Sequence, residues 1–114
     1  MTNTETKFRL WAKKEFPGAT IKKIPDYKML GNRGAVGLPD YVIFYLNFTL
    51  WFEVKSAFGN TITLRHFTDG QKVTFNKMMG NNVDVFVYCF TRTKGNQMIR
   101  WQDFVREGGK HKFR

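Results

Sequence analysis

The strongest constraint on the fold is a pair of apolar segments separated by a very short polar break. The first contains the run YVIFYL and the second the run TLWF. Both are rich in β-branched and aromatic residues, and a two-residue connection at Asn47 and Phe48 is the length of a tight hairpin loop. The sequence therefore predicts two antiparallel strands, residues 40–46 and 49–56.

Other elements are predicted on both sides of this hairpin. The patterns indicate helices over residues 4–16 and 71–79, strands over 19–24, 83–90 and 97–101, and a helical turn over 102–107. The second helix has Thr68 or Asp69 as its N-cap and Gly80 just past its end. Residues 58–70 are expected to be irregular, with at most a short extended piece.

This order of elements predicts an α/β fold in which helices flank a mixed β-sheet. A chain of 114 residues is the size of one domain, and 42% hydrophobic residues are enough for one core. We assign that domain to residues 1–107 and a mobile basic tail to residues 108–114.

The charge balance points to a polyanionic partner. There are 19 Lys and Arg residues against 9 Asp and Glu, a formal net charge of +10. Nucleic acid is the commonest partner of such a domain; an acidic membrane surface or an acidic protein ranks lower, since no basic amphipathic helix stands out. The candidate phosphate-binding residues are Lys22, Lys23, Lys28, Arg33, Arg65, Lys72 and Lys77, although for each of them a solvated surface position is the commoner role.

The compartment is predicted to be reducing. Cys89 is the single cysteine, so no disulfide can form within the chain, and its apolar surroundings favour a buried packing role over a nucleophilic one. The first residues are too charged for a signal peptide, and no apolar run approaches the ~20 residues of a membrane span. We therefore expect a cytoplasmic protein.

Acidic residues at the outer ends of the hairpin need an explanation in so basic a chain. A two-residue loop would pair Val42 with Glu53 and Asp40 with Lys55, and paired residues point to one face. Asp40 and Glu53 would then be diagonal neighbours about 7 Å apart. Two carboxylates at that separation can share Mg²⁺, with the Val54 carbonyl as a further oxygen ligand.

Each of these residues also has an ordinary structural interpretation. Asp40 follows Pro39 and could be a turn residue. Glu53 and Lys55 could form an ion pair at a solvated strand end. Taken singly these interpretations are favoured, whereas the convergence of all three groups favours a functional site.

The same residues resemble a known nuclease signature. Pro39-Asp40, twelve intervening residues and Glu53-Val54-Lys55 are similar to the PD-(D/E)XK nucleases. The form Gly37-Leu38-Pro39-Asp40 and the Gln-bearing helix after the lysine resemble most the small VRR-NUC nucleases, which are related to Holliday-junction resolvases. The resemblance covers roughly residues 5–90, with Asn32-Arg33-Gly34 where the Val-Arg-Arg element would stand. It implies a restriction-endonuclease-like fold.

The resemblance also implies roles for individual residues. Asp40 and Glu53, with the Val54 carbonyl, would bind Mg²⁺, for which Mn²⁺ can substitute. Lys55 would orient or activate the attacking water or stabilise charge at the phosphate, and Gln71 would lie near the site or be an ordinary first-turn residue. Glu5 would be the acid from the first helix, with Glu15 as its rival. His66 is expected on the surface, with an approach to the site as the alternative.

The predicted function is that of a metal-dependent, structure-selective DNA endonuclease acting on branched DNA such as Holliday junctions or flaps. The chain has little room for a separate sequence-reading domain, which favours recognition of DNA shape. Cutting both strands of a junction needs two active sites, so a homodimer is expected; a small nuclease of this kind also resembles phage-encoded enzymes. The alternatives are a non-catalytic nucleic-acid-binding module and a general end-processing or restriction-type nuclease.

Overall fold

The computed structural model describes residues 3–25 and 37–114, and its elements follow the predicted order with two added strands. The helices are α1 (Asn3–Glu15), α2 (Asp69–Gly80) and α3 (Trp101–Arg106), with a short 3₁₀ turn at Leu64–His66. The strands are β1 (Thr20–Lys23), β2 (Tyr41–Tyr45), β3 (Phe48–Ala57), β4 (Thr61–Thr63), β5 (Val85–Thr91), β6 (Gly95–Arg100) and β7 (Lys110–Lys112).

Five of these strands form one mixed sheet in the order β1-β2-β3-β5-β6. Strands β3 and β5 pair in parallel, and the other three pairs are antiparallel. A parallel pair needs a long crossover, which here contains β4, the 3₁₀ turn and α2. The predicted α/β fold with a mixed sheet and flanking helices is confirmed.

The two faces of the sheet carry separate cores, because successive side chains of a strand point to opposite sides. One face packs against α1 through Phe8, Ala12, Tyr41, Ile43, Phe52 and Tyr88. The other packs against α2 and α3, and its largest members are Phe67, Phe75, Trp101, Phe104 and Phe113. Cys89 is buried in this second core, and burial raises the pKa of its thiol to about 11, in keeping with the predicted packing role. None of the described helices is long and apolar enough to cross a membrane.

The hairpin forms as predicted, but its register differs by two residues. Tyr45 pairs with Phe48 and Val42 with Trp51, so the predicted pairing of Val42 with Glu53 is wrong. The turn lies at Leu46 and Asn47, with Leu46 in the left-handed region at a φ of 54°. Because side chains alternate with a period of two, a shift of two residues leaves every side chain on its predicted face.

The predicted basic tail is part of the folded domain. Lys110–Lys112 form β7, which pairs antiparallel with Thr61–Thr63 of β4. Phe113 is only 3% exposed and belongs to the core beneath α2 and α3. The charged residues of this segment lie at the surface while its aromatic residue is buried, an arrangement that composition alone does not reveal.

Helix α2 has one of its two predicted N-caps but extends beyond the predicted residues 71–79 at both ends. Thr68 is its N-cap, and its hydroxyl accepts a hydrogen bond from the backbone N–H of Gln71. Gly80 lies inside the last turn, and the left-handed residue beyond the helix is Asn82, at a φ of 61°. Asn tolerates this conformation better than most residues other than Gly. Asn82 therefore takes the position just past the helix end that was predicted for Gly80.

Candidate active site

Asp40 and Glu53 face each other at the end of the hairpin remote from its turn. Extending the observed register by one residue beyond the Tyr41–Phe52 pair places Asp40 across from Glu53. The Asp40 carboxylate accepts a hydrogen bond from the Val54 N–H, with 2.9 Å between Oδ2 and N. The two acids are therefore direct cross-strand neighbours rather than the diagonal neighbours that the sequence predicted.

The Glu53 carboxylate is buried and only half satisfied. Glu53 as a whole is only 1% exposed. Oε2 accepts a hydrogen bond from Gln71 Nε2 at 2.8 Å and lies 3.0 Å from Lys55 Nζ. Oε1 is buried and accepts no hydrogen bond from a donor of the described residues, and the Asp40 and Glu53 carboxyl groups lie within hydrogen-bonding reach of each other. Leaving a buried acceptor without a partner costs about 1–3 kcal/mol, more for a charged group, so this oxygen is suited to a ligand.

Lys55 is held by three groups around its ammonium. Nζ pairs with Glu53 and donates to Gln71 Oε1 at 3.2 Å, and it lies 5.0 Å from the centre of the Phe67 ring. The Lys55 side chain is 16% exposed, so its charge reaches solvent only at the cleft. This arrangement restrains a flexible side chain and fixes a positive charge beside the two acids.

Gln71 is both a first-turn helix residue and a member of the site. Its Oε1 accepts a hydrogen bond from the Thr68 N–H at 3.0 Å, which completes a capping box with the Thr68 hydroxyl. Its Nε2 then reaches Glu53. The spacing Thr-x-x-Gln is the sequence signature of such a box, so the sequence contained a signal for the Gln71 orientation that the N-cap prediction alone did not use.

A close backbone contact joins the segment that carries Asp40 to the start of α2. Gly37 has a φ of 92°, and a Cβ at this position would lie 2.3 Å from the Gly70 carbonyl oxygen. Both features require glycine. Gly37 therefore lets the segment before Asp40 approach the helix turn that carries Gln71.

Both carboxyl groups have raised pKa values. Burial, and then repulsion from Asp40, raises the pKa of Glu53 to about 8, although Lys55 acts in the opposite direction. Burial also raises the pKa of Asp40, against the lowering effects of the Val54 N–H and Lys55. Two acids that resist ionisation together are a good receptor for a cation, because the cation removes the repulsion between them.

Glu5, rather than Glu15, lies in the cleft. Glu5 is in the first turn of α1 and is 9% exposed, whereas Glu15 is exposed at the far end of the helix. The Glu5 Oε1 atom lies 2.5 Å from Lys23 Nζ and accepts a 3.4 Å hydrogen bond from the Tyr41 hydroxyl. The hydrogen bond to Glu5 is the main reason that the pKa of Lys23 is raised. No sequence pattern predicts the Tyr41 contact, because it depends on how α1 crosses the sheet.

The cleft runs around the end of the sheet and is lined by residues of both faces. Its lining comprises Thr4, Glu5, Asp40, Glu53, Val54, Lys55, Ser56, His66 and Gln71. His66 thus approaches the site, which was the alternative prediction. Its Nδ1 accepts a hydrogen bond from the Thr63 N–H at 3.0 Å, which orients the ring.

The predicted basic residues are not part of this lining. Lys22, Arg65 and Lys77 are exposed, and Lys23 is paired with Glu5. Lys72 is paired with Asp69 at 3.2 Å. The predictions for Lys28 and Arg33 lie outside the described residues. The structure therefore gathers the predicted catalytic and metal-binding residues and leaves the described phosphate-binding candidates on the surrounding surface.

The donor set of the site suits a hard divalent cation. Glu53 Oε1 is buried without a described partner, and the opposing Asp40 supplies a second carboxylate. The N–H and C=O of one strand residue point to the same side, so the Val54 carbonyl faces Asp40 as its N–H does. Among the described residues there is no group of three or more His, Cys, Asp or Glu side chains placed to hold a metal. Two carboxylates and a carbonyl are a donor set that fits an ion such as Mg²⁺, which is bound through one or two carboxylates and keeps several waters.

The same fold occurs in a solved archaeal structure. Hjc from Archaeoglobus fulgidus, described as a Holliday junction resolvase from an archaeal hyperthermophile, matches with a TM-score of 0.65 and 14% sequence identity. The match covers 90% of this chain and 78% of Hjc. No protein-family profile matches the sequence, and comparison with curated proteins finds no significant similarity. At this identity the likeness establishes the fold alone.

Proposed function

We propose that the protein is a metal-dependent, structure-selective endonuclease that hydrolyses phosphodiesters in branched DNA. The observation that carries this proposal is the Asp40–Glu53 pair, with a buried unpartnered Glu53 oxygen beside the fixed Lys55 ammonium. An ordinary strand-end ion pair would satisfy its acid with its lysine and stay in solvent. Here the acid is buried, keeps one oxygen open and is braced by a second residue, Gln71.

Asp40, Glu53 and the Val54 carbonyl would hold the metal ion, most simply Mg²⁺. Such an ion lowers the pKa of a coordinated water and stabilises negative charge on a phosphoryl oxygen. The chain supplies the position: the Val54 N–H fixes Asp40, and Gln71 fixes the bonded oxygen of Glu53. Glu5 lines the same cleft, with Lys23 and Tyr41 as its partners, and would add negative charge beside the ion.

Lys55 would stabilise the charge that builds on the scissile phosphate. In the hydrolysis, water adds to phosphorus, the bond to one ester oxygen breaks, and that oxygen takes up a proton. Lys55 is restrained by Glu53, Gln71 and Phe67, so its charge needs little reorganisation when the negative charge develops. Its contact with Glu53 also leaves it able to orient the attacking water.

Branched DNA is the favoured substrate class for two reasons. The fold is shared with Hjc over 90% of this chain, and Hjc is a Holliday junction resolvase. The cleft is an open one at the end of a small domain, which suits the recognition of shape through phosphates more than the reading of base edges. A resolvase that cuts two strands needs two such sites, so we expect the protein to act as a homodimer.

The test is a cleavage panel with labelled four-way junction, flap, nicked duplex and linear duplex, each in Mg²⁺, Mn²⁺ or EDTA. We expect cleavage of branched substrates in either metal and none in EDTA. Equal cleavage of linear duplex would replace structure selectivity with general end-processing activity. Binding of all four substrates without cleavage in any metal would instead identify a non-catalytic nucleic-acid-binding module.

A further inference from the structure

We propose that Phe58 and Arg92 form a subsite for an unpaired DNA base beside the catalytic cleft; this rests on the proposed nuclease function and specifies its substrate. Phe58 follows directly after β3 and is 87% exposed, more than any other large apolar side chain of the described residues. It lines a shallow groove with Ser56, Ala57, Phe90 and Arg92. A phenylalanine this exposed contributes almost nothing to the core.

The groove adjoins the site, because the two share a wall. Ser56 lines both the groove and the catalytic cleft, and it is the residue directly after Lys55. Ser56 pairs with Phe90 across β3 and β5, and Ala57 with Thr91. Phe58 and Arg92 therefore follow the last pair of the two strands, and Phe58 comes three residues after Lys55 in the sequence.

The groove combines aromatic rings with cations. The Arg92 guanidinium carbon lies 5.4 Å from the centre of the Phe58 ring, and Lys7 Nζ lies 3.7 Å from the centre of the Phe90 ring. This is the chemistry that binds single-stranded nucleic acid, in which a base stacks on a ring and its phosphate meets a cation. An apolar peptide would gain little from the two cations, and they would repel a basic one.

The ring can stack only on a base that is unpaired. In a continuous duplex both faces of a base are covered by its neighbours, so an exposed ring has no base face to contact. At a flap or an open junction the bases beside the branch are free to turn outward. The shared Ser56 wall would then place the phosphates of that strand next to Lys55, so the subsite would select strands that leave the duplex near the cut.

The test compares two exposed phenylalanines at opposite ends of the same strand. Phe58→Ala removes the proposed platform, and Phe48→Ala, at a position 60% exposed, removes a matched ring at the start of β3. Binding is measured by fluorescence anisotropy in EDTA with a blunt duplex and with the same duplex carrying an oligothymidine flap. We expect Phe58→Ala to weaken flap binding about 5- to 100-fold and blunt-duplex binding little. Phe48→Ala should change neither, and Phe58→Trp should retain flap binding.

Two results would overturn the subsite. One is equal binding of flap DNA by Phe58→Ala and the unsubstituted protein; the other is an equal loss on both probes. A melting curve of each variant shows that the fold is intact, which the exposure of both side chains favours. Because the measurement needs no metal and no cleavage, it separates the two proposals: failure of the subsite leaves the Mg²⁺-dependent cleavage assay unaffected, and failure of cleavage leaves selective flap binding to be explained.

Discussion

Strand β3 exposes large apolar side chains at its start and encloses charged side chains towards its end. At its start, the hairpin tip, defined as Phe44, Leu46 and Phe48, exposes three large apolar side chains at 48%, 80% and 60%. At its end, Glu53 is buried at 1% exposure and Lys55 is mostly enclosed. Five residues of extended chain separate Phe48 from Glu53 and seven separate it from Lys55, which corresponds to about 16–23 Å. A fold selected for stability alone would bury the first set and expose the second.

This difference shows that charged groups near the end of β3 are buried although charged groups ordinarily prefer solvent. Burying a carboxylate is unfavourable unless it is paired, and Glu53 keeps one oxygen without a described partner. The segment of Asp40 bonds to β3, the start of α2 bonds to Glu53, and the start of α1 lines the same cleft. The unfavourable arrangement at one end is therefore built by the fold, which is the mark of a site.

The largest expected effect is the loss of cleavage on neutralising either acid. Asp40→Asn and Glu53→Gln each remove a charge that would hold the metal, and each also removes a charge that repels phosphate. We expect cleavage of a branched substrate to be abolished while DNA binding stays the same or becomes tighter. The matched control is Glu15→Gln, at the exposed far end of α1, which should cleave normally. Cleavage near the normal rate in Asp40→Asn or Glu53→Gln would remove that residue from the proposed metal site.

The next largest effect is expected at Lys55. If Lys55 stabilises charge during hydrolysis, Lys55→Ala should lower the single-turnover rate by a factor of order 10²–10³. Lys55→Arg should rescue only in part, because a planar guanidinium does not replace a compact ammonium between Glu53 and Gln71. The measurement uses saturating Mg²⁺ and enzyme, with a melting curve beside it. A Lys55→Ala protein that melts normally and cuts at the normal rate would leave Lys55 as a structural ion-pair partner only.

The sequence predicted which residues form the site better than it predicted which of them pair across the strands. Alternation along β3 placed Glu53 and Lys55 on one face and hairpin pairing placed Asp40 on the same face, and this survived a two-residue error in register because the error was even. The register itself depends on whether Leu46 adopts a left-handed conformation, which is rare for leucine and therefore not predicted. A shift of one residue would have sent the set to the wrong face.

Contacts between segments that are distant in the chain could not be predicted from the sequence. The pairing of Lys23 with Glu5 depends on how α1 crosses the sheet, and the pairing of β7 with β4 joins residues 47 to 51 positions apart. Neither leaves a periodic pattern in the chain. The capping box of Thr68 and Gln71 is different, because its spacing is local and its signature was present.

A smaller effect is expected on the pH dependence of stability. In the folded protein without metal the pKa of Glu53 is about 8, against 4.5 for an unperturbed glutamate. Between these values the folded state binds more protons than the unfolded state, so stability falls as pH rises through this window. The loss amounts to up to a few kcal/mol and is complete above about pH 8.

Thermal melts in EDTA at pH 5 and pH 8.5 test this expectation. The fall in melting temperature with pH should be smaller in Glu53→Gln than in the unsubstituted protein, and Glu15→Gln should match the unsubstituted protein. Mg²⁺ at pH 8.5 should raise the melting temperature of the unsubstituted protein and leave Glu53→Gln nearly unchanged. The same pH slope in the unsubstituted and Glu53→Gln proteins would show that Glu53 ionises normally in the folded state.

The smallest effect is expected at the hairpin tip, where the backbone conformation of Leu46 alone should determine how a substitution changes stability. Leu46 holds a left-handed φ of 54° while 80% exposed, so it bears the steric cost of that conformation with almost no burial in return. Asn adopts this conformation more readily, so Leu46→Asn should stabilise the protein by about 0.5–1 kcal/mol and leave cleavage unchanged. Leu46→Val should destabilise it, because a β-branched residue is poorly accommodated there. Chemical denaturation with a cleavage assay measures both.

A destabilised Leu46→Asn protein, or one that loses activity, would mean that the hairpin tip is covered in the working assembly. The contrast between a functional and a merely structural end of β3 would then fail.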